Sequence, residues 1–241
     1  MKSPRYGMAL IQRSDIAANR VLAAFSDADF AALSGRMTVS DGRRDEVLIG
    51  QGEAVTEVHF PLTADLSNRV LFSNGDAIET SAVGRFGVSG LAAFLAHAPC
   101  AWEVRVQTPG RIVRLPADAF RQQAWSSPEL MQLLLRVTHD NQAEGAQTAA
   151  CNITHDVQSR LARWLLMIDD RTGAGTIRLS HEDLAQMLGA QRTTVSVAAA
   201  NLKRAGAIRY SRSNIQIVDR PVLQQWSCEC YAAQQKRASL R

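Results

Sequence analysis

Residues 180–206 constrain this chain more than any other stretch. They read Ser-His-Glu-Asp-Leu-Ala-Gln-Met-Leu-Gly, then Ala-Gln-Arg-Thr-Thr-Val-Ser-Val-Ala-Ala-Ala-Asn-Leu-Lys-Arg-Ala-Gly. Ser180 suits an N-cap, because its hydroxyl can accept from a first-turn amide that a helix leaves unbonded, and Asp183 three residues on makes a shortened capping box. Leu184 and Leu188 then share one helix face. Gly189 can take the left-handed backbone that stops a helix sharply. A second helix follows, with Val195, Ala198, Ala199 and Leu202 inward at helical spacing and Gly206 at its close. Its opening turn, Gln191-Arg192-Thr193-Thr194, has nothing apolar to bury. Two short helices at a tight turn, the second polar in front and apolar behind, predict a helix-turn-helix that lays its polar turn in the major groove of double-stranded DNA. Arg suits guanine there, and Gln and Thr suit bases or phosphates. A helix pair that only meets solvent has the same spacing, and the next residues add weight against it. Ile208-Arg-Tyr210, a turn at residues 211–214 and Ile215-Gln-Ile-Val218 predict a hairpin wing, with Arg209 and Arg212 placed for flanking phosphates.

Residues 180–218 thus resemble the winged helix-turn-helix of the Crp–Fnr family of bacterial transcription regulators. In that family's Ser-Arg-Glu-Thr-Val-x-Arg motif the first Arg falls on Arg192 and the Thr on Thr194. The Ser corresponds to Gln191, the Glu is replaced by Thr193 and the second Arg by Val197. The resemblance implies that Arg192 reads a base and that Gln191, Thr193 and Thr194 read bases or hold phosphates. Val197 takes the place of a recognition residue, Ser180 and His181 hold phosphates from the preceding helix, and Arg212 acts from the wing. It also implies a homodimer on a two-fold-symmetric operator, contact with RNA polymerase and a small-molecule effector of unknown identity. The departures at 191, 193 and 197 point away from the family's best-known operator.

Charge supports a polyanion partner. The net charge of +4 is unevenly spread: residues 1–156 carry −3, residues 157–220 carry +5 and the remainder +2. The excess sits with the helix-turn-helix, where DNA would be met. A chain of 241 residues that is 46% hydrophobic and 21% charged has the composition of a soluble globular protein. No apolar run reaches the ~18 residues of a membrane span, and the first residues show no signal-peptide pattern. The expectation is a cytoplasmic protein without membrane contact. No triad, paired carboxylates or metal-ligand spacing suggests an enzyme.

Residues 37–115 change character. Runs at 46–49, 58–60, 69–72, 77–80, 104–106 and 111–115 read as short strands, separated by Asp41-Gly42, Gly50-Gln-Gly52, Asn74-Gly75 and Pro109-Gly110 as turns. This half resembles the double-stranded β-helix (jelly-roll-like) sensor of cyclic-nucleotide-binding proteins. The fold class expected is α+β: a β-roll sensor over 1–126, a dimerisation helix and hinge over 127–155, a winged helix-turn-helix over 156–220 and a C-terminal helix and tail over 221–241. Cyclic-AMP-binding members carry a Gly-Glu pair and a later Arg-Ser/Ala that grips the phosphate. The matching run, residues 83–95, has no Glu after Gly84, Gly87 or Gly90, and Cys100-Ala101 stands about where the Arg-Ser/Ala belongs. Arg85 or Arg105 would have to supply the cation from another position, so dependence on cyclic AMP is not expected. A constitutive regulator with a structural β-roll is one alternative.

A redox-, metal- or haem-responsive regulator is the other. The four cysteines, at 100, 151, 228 and 230, make no disulfide framework. The N-terminal cluster of iron–sulfur members has no counterpart here. His97 with Cys100 is the candidate haem pair, and His59 stands alone; both histidines read better as hydrogen-bonded structural residues. Cys228-Glu-Cys230 has the form of half a metal site but no second Cys/His pair nearby, so it reads as a reduced pair and no metal is assigned. Ser127 caps a long helix with Pro128 at its first position. There Leu130, Leu134, Val137, Asn141, Glu144, Thr148 and Cys151 form a heptad stripe, read as the seam between two copies. Residues 152–156 read as a hinge, residues 169–175 as a loop.

Overall fold

The computed structural model describes residues 11–173, 175–211 and 213–239. Three short helices lead in: α1 (Arg13–Ile16), α2 (Arg20–Ala23) and α3 (Asp27–Ser34). Asn19 caps α2 by accepting from the Val21 and Leu22 amides, and its own side-chain amide donates to the carbonyls of Pro61 and Gly87. The residue is fully buried, and these bonds are what make that burial tolerable. Ser26 caps α3 by accepting from the Asp29 amide and donates to the Asp29 carboxylate.

Seven strands follow, β1 (Thr38–Gly42), β2 (Val47–Ile49), β3 (Glu57–Pro61), β4 (Asp65–Leu71), β5 (Ala77–Val83), β6 (Glu103–Thr108) and β7 (Gly110–Pro116), with helix α4 (Leu91–Ala96) before β6. They form two antiparallel sheets, β1-β7-β3 and β2-β6-β4-β5, over one core that includes Phe60, Leu66, Val104, Ile112 and Leu115. Helix α5 (Ala117–Ser126) adds Phe120, whose ring meets Phe25, Phe60 and Phe94. All six expected strands are present. Asp41-Gly42 is a correction: it lies within β1, opposite Arg111 and Gly110, and is no turn. Gly42 is there for closeness, since a Cβ would fall 2.5 Å from Ile112 Cδ1. Asn74-Gly75 does turn β4 into β5, with Gly75 at φ +89° and Asn74 accepting from the Asp76 amide.

Helix α6 (Pro128–Thr154) starts on the predicted Ser127 cap. Five residues of its heptad stripe point inward, while Asn141 in the middle of that stripe is exposed and Glu144 half-buried. Leu130, Leu134 and Val137 pack into the N-terminal core, Thr148 accepts from Arg163 and Cys151 is buried against Cys228 and Cys230. These residues serve the chain's own packing. On the opposite side Gln132, Leu135, His139, Gln142, Ala146, Ala149 and Ile153 are all exposed, again at alternating spacings of three and four; Leu135 is 55% and Ile153 89% accessible. The stripe with the bulkier apolar residues went to the core, leaving a sparser seam outside.

Two residues, His155 and Asp156, separate α6 from α7 (Val157–Thr172). Asp156 caps α7 through the Ser159 amide. Leu161, Trp164, Leu165 and Ile168 are buried, and the helix runs on through much of the expected loop, stopping at Gly173 with φ +64°. A strand not foreseen, β8 (Thr176–Arg178), precedes α8 (His181–Leu188), α9 (Arg192–Arg204), β9 (Ile208–Ser211) and β10 (Asn214–Ile217). The sheet order is β8-β10-β9. The C-terminal helix is two helices, α10 (Arg220–Trp226) and α11 (Glu229–Ser239). A second core gathers α7, α8, α9, the wing and Tyr231 of α11. Among the described residues no helix is long and apolar enough to cross a membrane.

Candidate nucleic-acid interface

The helix-turn-helix is built by local chemistry. Ser180 Oγ accepts from the Asp183 amide at 3.1 Å, while Asp183 Oδ2 accepts from the Ser180 amide at 2.7 Å, so both halves of the capping box are made. Gly189 ends α8 at φ +55°. Behind the next helix Val195, Ala198, Ala199 and Leu202 are buried. In front, Gln191, Arg192, Thr193 and Thr194 are exposed, and Val197, one turn on, is 62% accessible. Ala200 and Arg204 continue that exposed face. Sequence reading stopped at Val197, although helical spacing alone extends the face to them.

His181 fastens the three pieces of the motif together. Its Nδ1 lies 2.8 Å from Ser196 Oγ, and that hydroxyl donates to the Arg192 carbonyl, so Nδ1 must be the donor. The ring stacks on Tyr210 of β9 with centroids 4.4 Å apart. Burial, and then the charge of Arg192, lower the His181 pKa, which keeps the ring neutral at pH 7. The phosphate-holding side chains expected at Ser180 and His181 are therefore committed inside the motif, to Asp183 and Ser196. Arg209 is exposed on the wing. Arg212 lies outside the described residues.

The motif is also tied to the sheets. Arg44 donates to Asp183 Oδ2 at 2.8 Å and to the Arg178 carbonyl. Deeper, Arg171 of α7 meets Asp65 of β4 through two bonds of 2.6 and 3.1 Å, with side chains only 7% and 0% exposed. Burial opposes the guanidinium charge, but the Asp65 carboxylate outweighs it and raises the Arg171 pKa above its ordinary value. Gly84 makes room for this pair: a Cβ there would stand 2.5 Å from Arg171 Cβ. The run that matches the phosphate cassette thus packs on a cation that already has its carboxylate. Of the substitute cations, Arg105 is bonded to Glu103 through Nε and Nη2, and Arg85 lies over the Phe86 ring.

The haem candidates are similarly placed. His97 is exposed at the end of α4, whereas Cys100 is fully buried. His59 is buried with Nδ1 3.0 Å from Ser89 Oγ, and burial, then the charge of Arg114, push its pKa down to about 3. It is a neutral structural histidine. The other three thiols come together: Cys151, Cys228 and Cys230, with His155, offer ligand atoms that all lie within 4.8 Å of one another. The Cys228-Glu-Cys230 half-site thus finds its second Cys/His pair in Cys151 and His155, four residues apart at the end of α6 but 77 residues from Cys228 in sequence.

Two β-sheets, a long connecting helix and a winged helix-turn-helix make up the architecture. Residues 159–226 match the Crp-like helix-turn-helix domain. The CRP-like cAMP-activated global transcriptional regulator of Mycobacterium tuberculosis is 26% identical over 196 residues, spanning 78% of this chain and 88% of that protein. Among solved structures, FixK2 from Bradyrhizobium japonicum superposes with a TM-score of 0.67 at 20% identity, over 80% of this chain and 98% of that one. A CRP-family transcriptional regulator from Thermus thermophilus gives 0.65 at 19% identity, over 78% and 96%. The chain thus carries a Crp-like helix-turn-helix domain at residues 159–226 and is similar along most of its length to Crp–Fnr transcription regulators.

Proposed function

We propose that this protein is a homodimeric, sequence-specific regulator that works in the bacterial cytoplasm and reads a two-fold-symmetric operator through α9, without cyclic AMP. The observation that carries the reading is the exposed front of α9, held rigid from behind by His181, Ser196 and Tyr210. Arg192 would donate to guanine, Gln191, Thr193 and Thr194 would serve bases or phosphates, and Val197 is suited to a thymine methyl. With the Ser180 and His181 side chains engaged inside, the unbonded first-turn amides of α8 are the groups left to meet a phosphate. Arg209 and Arg212 would hold the flanking backbone from the wing. The exposed stripe on α6, from Gln132 to Ile153, is the face on which two copies would pair, setting two α9 helices on half-sites ~34 Å apart. The Arg171–Asp65 pair beside Gly84 supports independence from cyclic AMP; any small-molecule effector would be recognised by other chemistry, and RNA polymerase is the onward partner.

Selection of bound duplexes from a random pool, repeated with Arg192→Ala, tests this. A two-fold site should be enriched by the wild type. The variant should bind it more weakly by about 1–3 kcal/mol, roughly 5- to 150-fold, with relaxed choice at one base. Unselective binding by both proteins that falls steeply with salt would overturn it.

A further inference from the structure

We propose that Cys151, His155, Cys228 and Cys230 form a binding site for one divalent metal ion of the zinc class, which staples α11 to the hinge end of α6. The proposal is independent of how α9 reads DNA.

The geometry fits a tetrahedral ion. Cys151 Sγ and Cys228 Sγ are 3.5 Å apart, and Cys230 Sγ is 3.7 Å from His155 Nδ1. Ligands at ~2.3 Å for sulfur and ~2.0 Å for nitrogen around a tetrahedral centre sit about 3.5–3.8 Å from each other. Two ligands come from the end of α6, Cys151 on its last turn and His155 at its C-cap, four residues apart. The other two flank Glu229 at the start of α11. The three cysteines are nearly inaccessible and the His155 side chain is 17% exposed, which is the closed, four-ligand arrangement of a structural site. Three thiolates and an imidazole select a borderline-soft ion and disfavour magnesium or calcium.

The surroundings point the same way. Glu229 Oε2 lies 3.0 Å from His155 Nε2. A carboxylate holding that nitrogen as the donor leaves Nδ1 with its lone pair turned toward the thiols, the outer-shell arrangement by which metal-binding histidines are oriented. Gln147 Nε2 donates to Cys230 Sγ at 3.1 Å. Beneath the cluster, Arg163 is fully buried and only its Nη2 is bonded, to Thr148; Nε and Nη1 have no hydrogen-bond partner. Three thiolates with a divalent ion leave one net negative charge, which is what a buried guanidinium lacking a counter-ion requires. On binding, the thiols release their protons to solvent. A Cys151–Cys228 disulfide is the rival use of these sulfurs; it would consume two thiols and leave Cys230 and His155 without a task.

The test uses the full chain, reduced and stripped with chelator, titrated anaerobically with Co²⁺ and then Zn²⁺. One equivalent of Co²⁺ should give the intense visible bands of tetrahedral cobalt together with thiolate-to-cobalt charge transfer, and Zn²⁺ should bleach both. Cys230→Ser should lose about a third of the charge-transfer intensity, one thiolate of three, and Glu229→Gln should keep the spectrum while binding Zn²⁺ about 10- to 100-fold more weakly. Should Cys230→Ser fail to fold, alkylation of the wild type decides instead: Zn²⁺ should protect Cys151, Cys228 and Cys230 but not alter Cys100. Only weak octahedral cobalt bands, or thiols that alkylate equally fast with and without Zn²⁺, would overturn the site. So would a Cys151–Cys228 disulfide forming unhindered in the presence of Zn²⁺.

Discussion

Replacing Arg171 by Met removes one half of a buried ion pair and leaves the other half stranded. Asp65 is fully buried, and burial pushes its carboxyl pKa up. Glu79 lies close enough for the Asp65 charge to act on it, and burial first, with that charge, holds Glu79 at about 7. Stranding a buried charge in this way costs ~3–5 kcal/mol. Asp65→Asn, which strands Arg171, should cost a similar amount. The double variant, with no charge left at either site, should lose only ~0–2 kcal/mol, because the desolvation penalty disappears along with the attraction. The two substitutions should therefore couple by several kcal/mol in a double-mutant cycle. Urea unfolding followed by tryptophan fluorescence is a suitable assay, since Arg171 lies over the Trp164 ring. The sign of the pH effect is fixed too: in Arg171→Met the Asp65 carboxyl gains a proton more easily folded than unfolded, so the loss should shrink between pH 8 and pH 5. Additive single effects, or a loss under ~1 kcal/mol for Arg171→Met, would refute the reasoning.

Three further outcomes are expected. His59, with its folded pKa of about 3 against an ordinary 6.5, contributes stability that is complete above pH ~6.5 and drains as pH falls toward 3, at ~1.4 kcal/mol per pH unit. A His59→Gln protein should show a flatter acid limb in urea titrations, and an unchanged limb would assign the loss elsewhere. On α6, Leu135→Glu with Ile153→Glu should give a monomer by sedimentation without loss of fold, whereas Leu134→Ala should cost ~2–5 kcal/mol and leave the oligomer intact; the reverse pattern would exchange the two faces. Gly84→Ala, which forces a methyl against Arg171, should cost ~1–3 kcal/mol in the same unfolding assay, and a neutral result would show that Arg171 can shift.

What was legible from the sequence was what short-range chemistry decides. The capping box at Ser180, the stop at Gly189 and the polar front of α9 all follow from residues within one or two helical turns, and all are present. The strands were legible from β-branched runs between turn residues, except where Asp41-Gly42 imitated a turn while serving close packing against Ile112. Strand β8 is three residues long and carries little pattern of its own; it is defined by β10 beside it. The stripe on α6 was legible only in part, for a different reason. Two stripes on that helix keep heptad spacing, and which one faces inward depends on what the rest of the chain places beside it. The Arg171–Asp65 pair joins residues far apart in sequence and leaves no local trace, while the cluster around Cys151 leaves two local pairs, Cys151 with His155 and Cys228 with Cys230, whose meeting only the fold decides.

The connection between α6 and α7 has a mechanical consequence. Of its two residues, Asp156 has its backbone fixed by the cap it makes on α7. The two torsions of His155, at φ −109° and ψ 148°, set the direction in which the second core leaves the long helix, and the Arg171–Asp65 and Arg44–Asp183 pairs hold it there. The 16-residue α7 extends ~24 Å from that point. A rotation of ~10° at His155 would therefore carry its far end by ~4 Å, roughly one base-pair step of duplex DNA. In the homodimer proposed above, the spacing of the two α9 helices would be sensitive to the backbone of this residue.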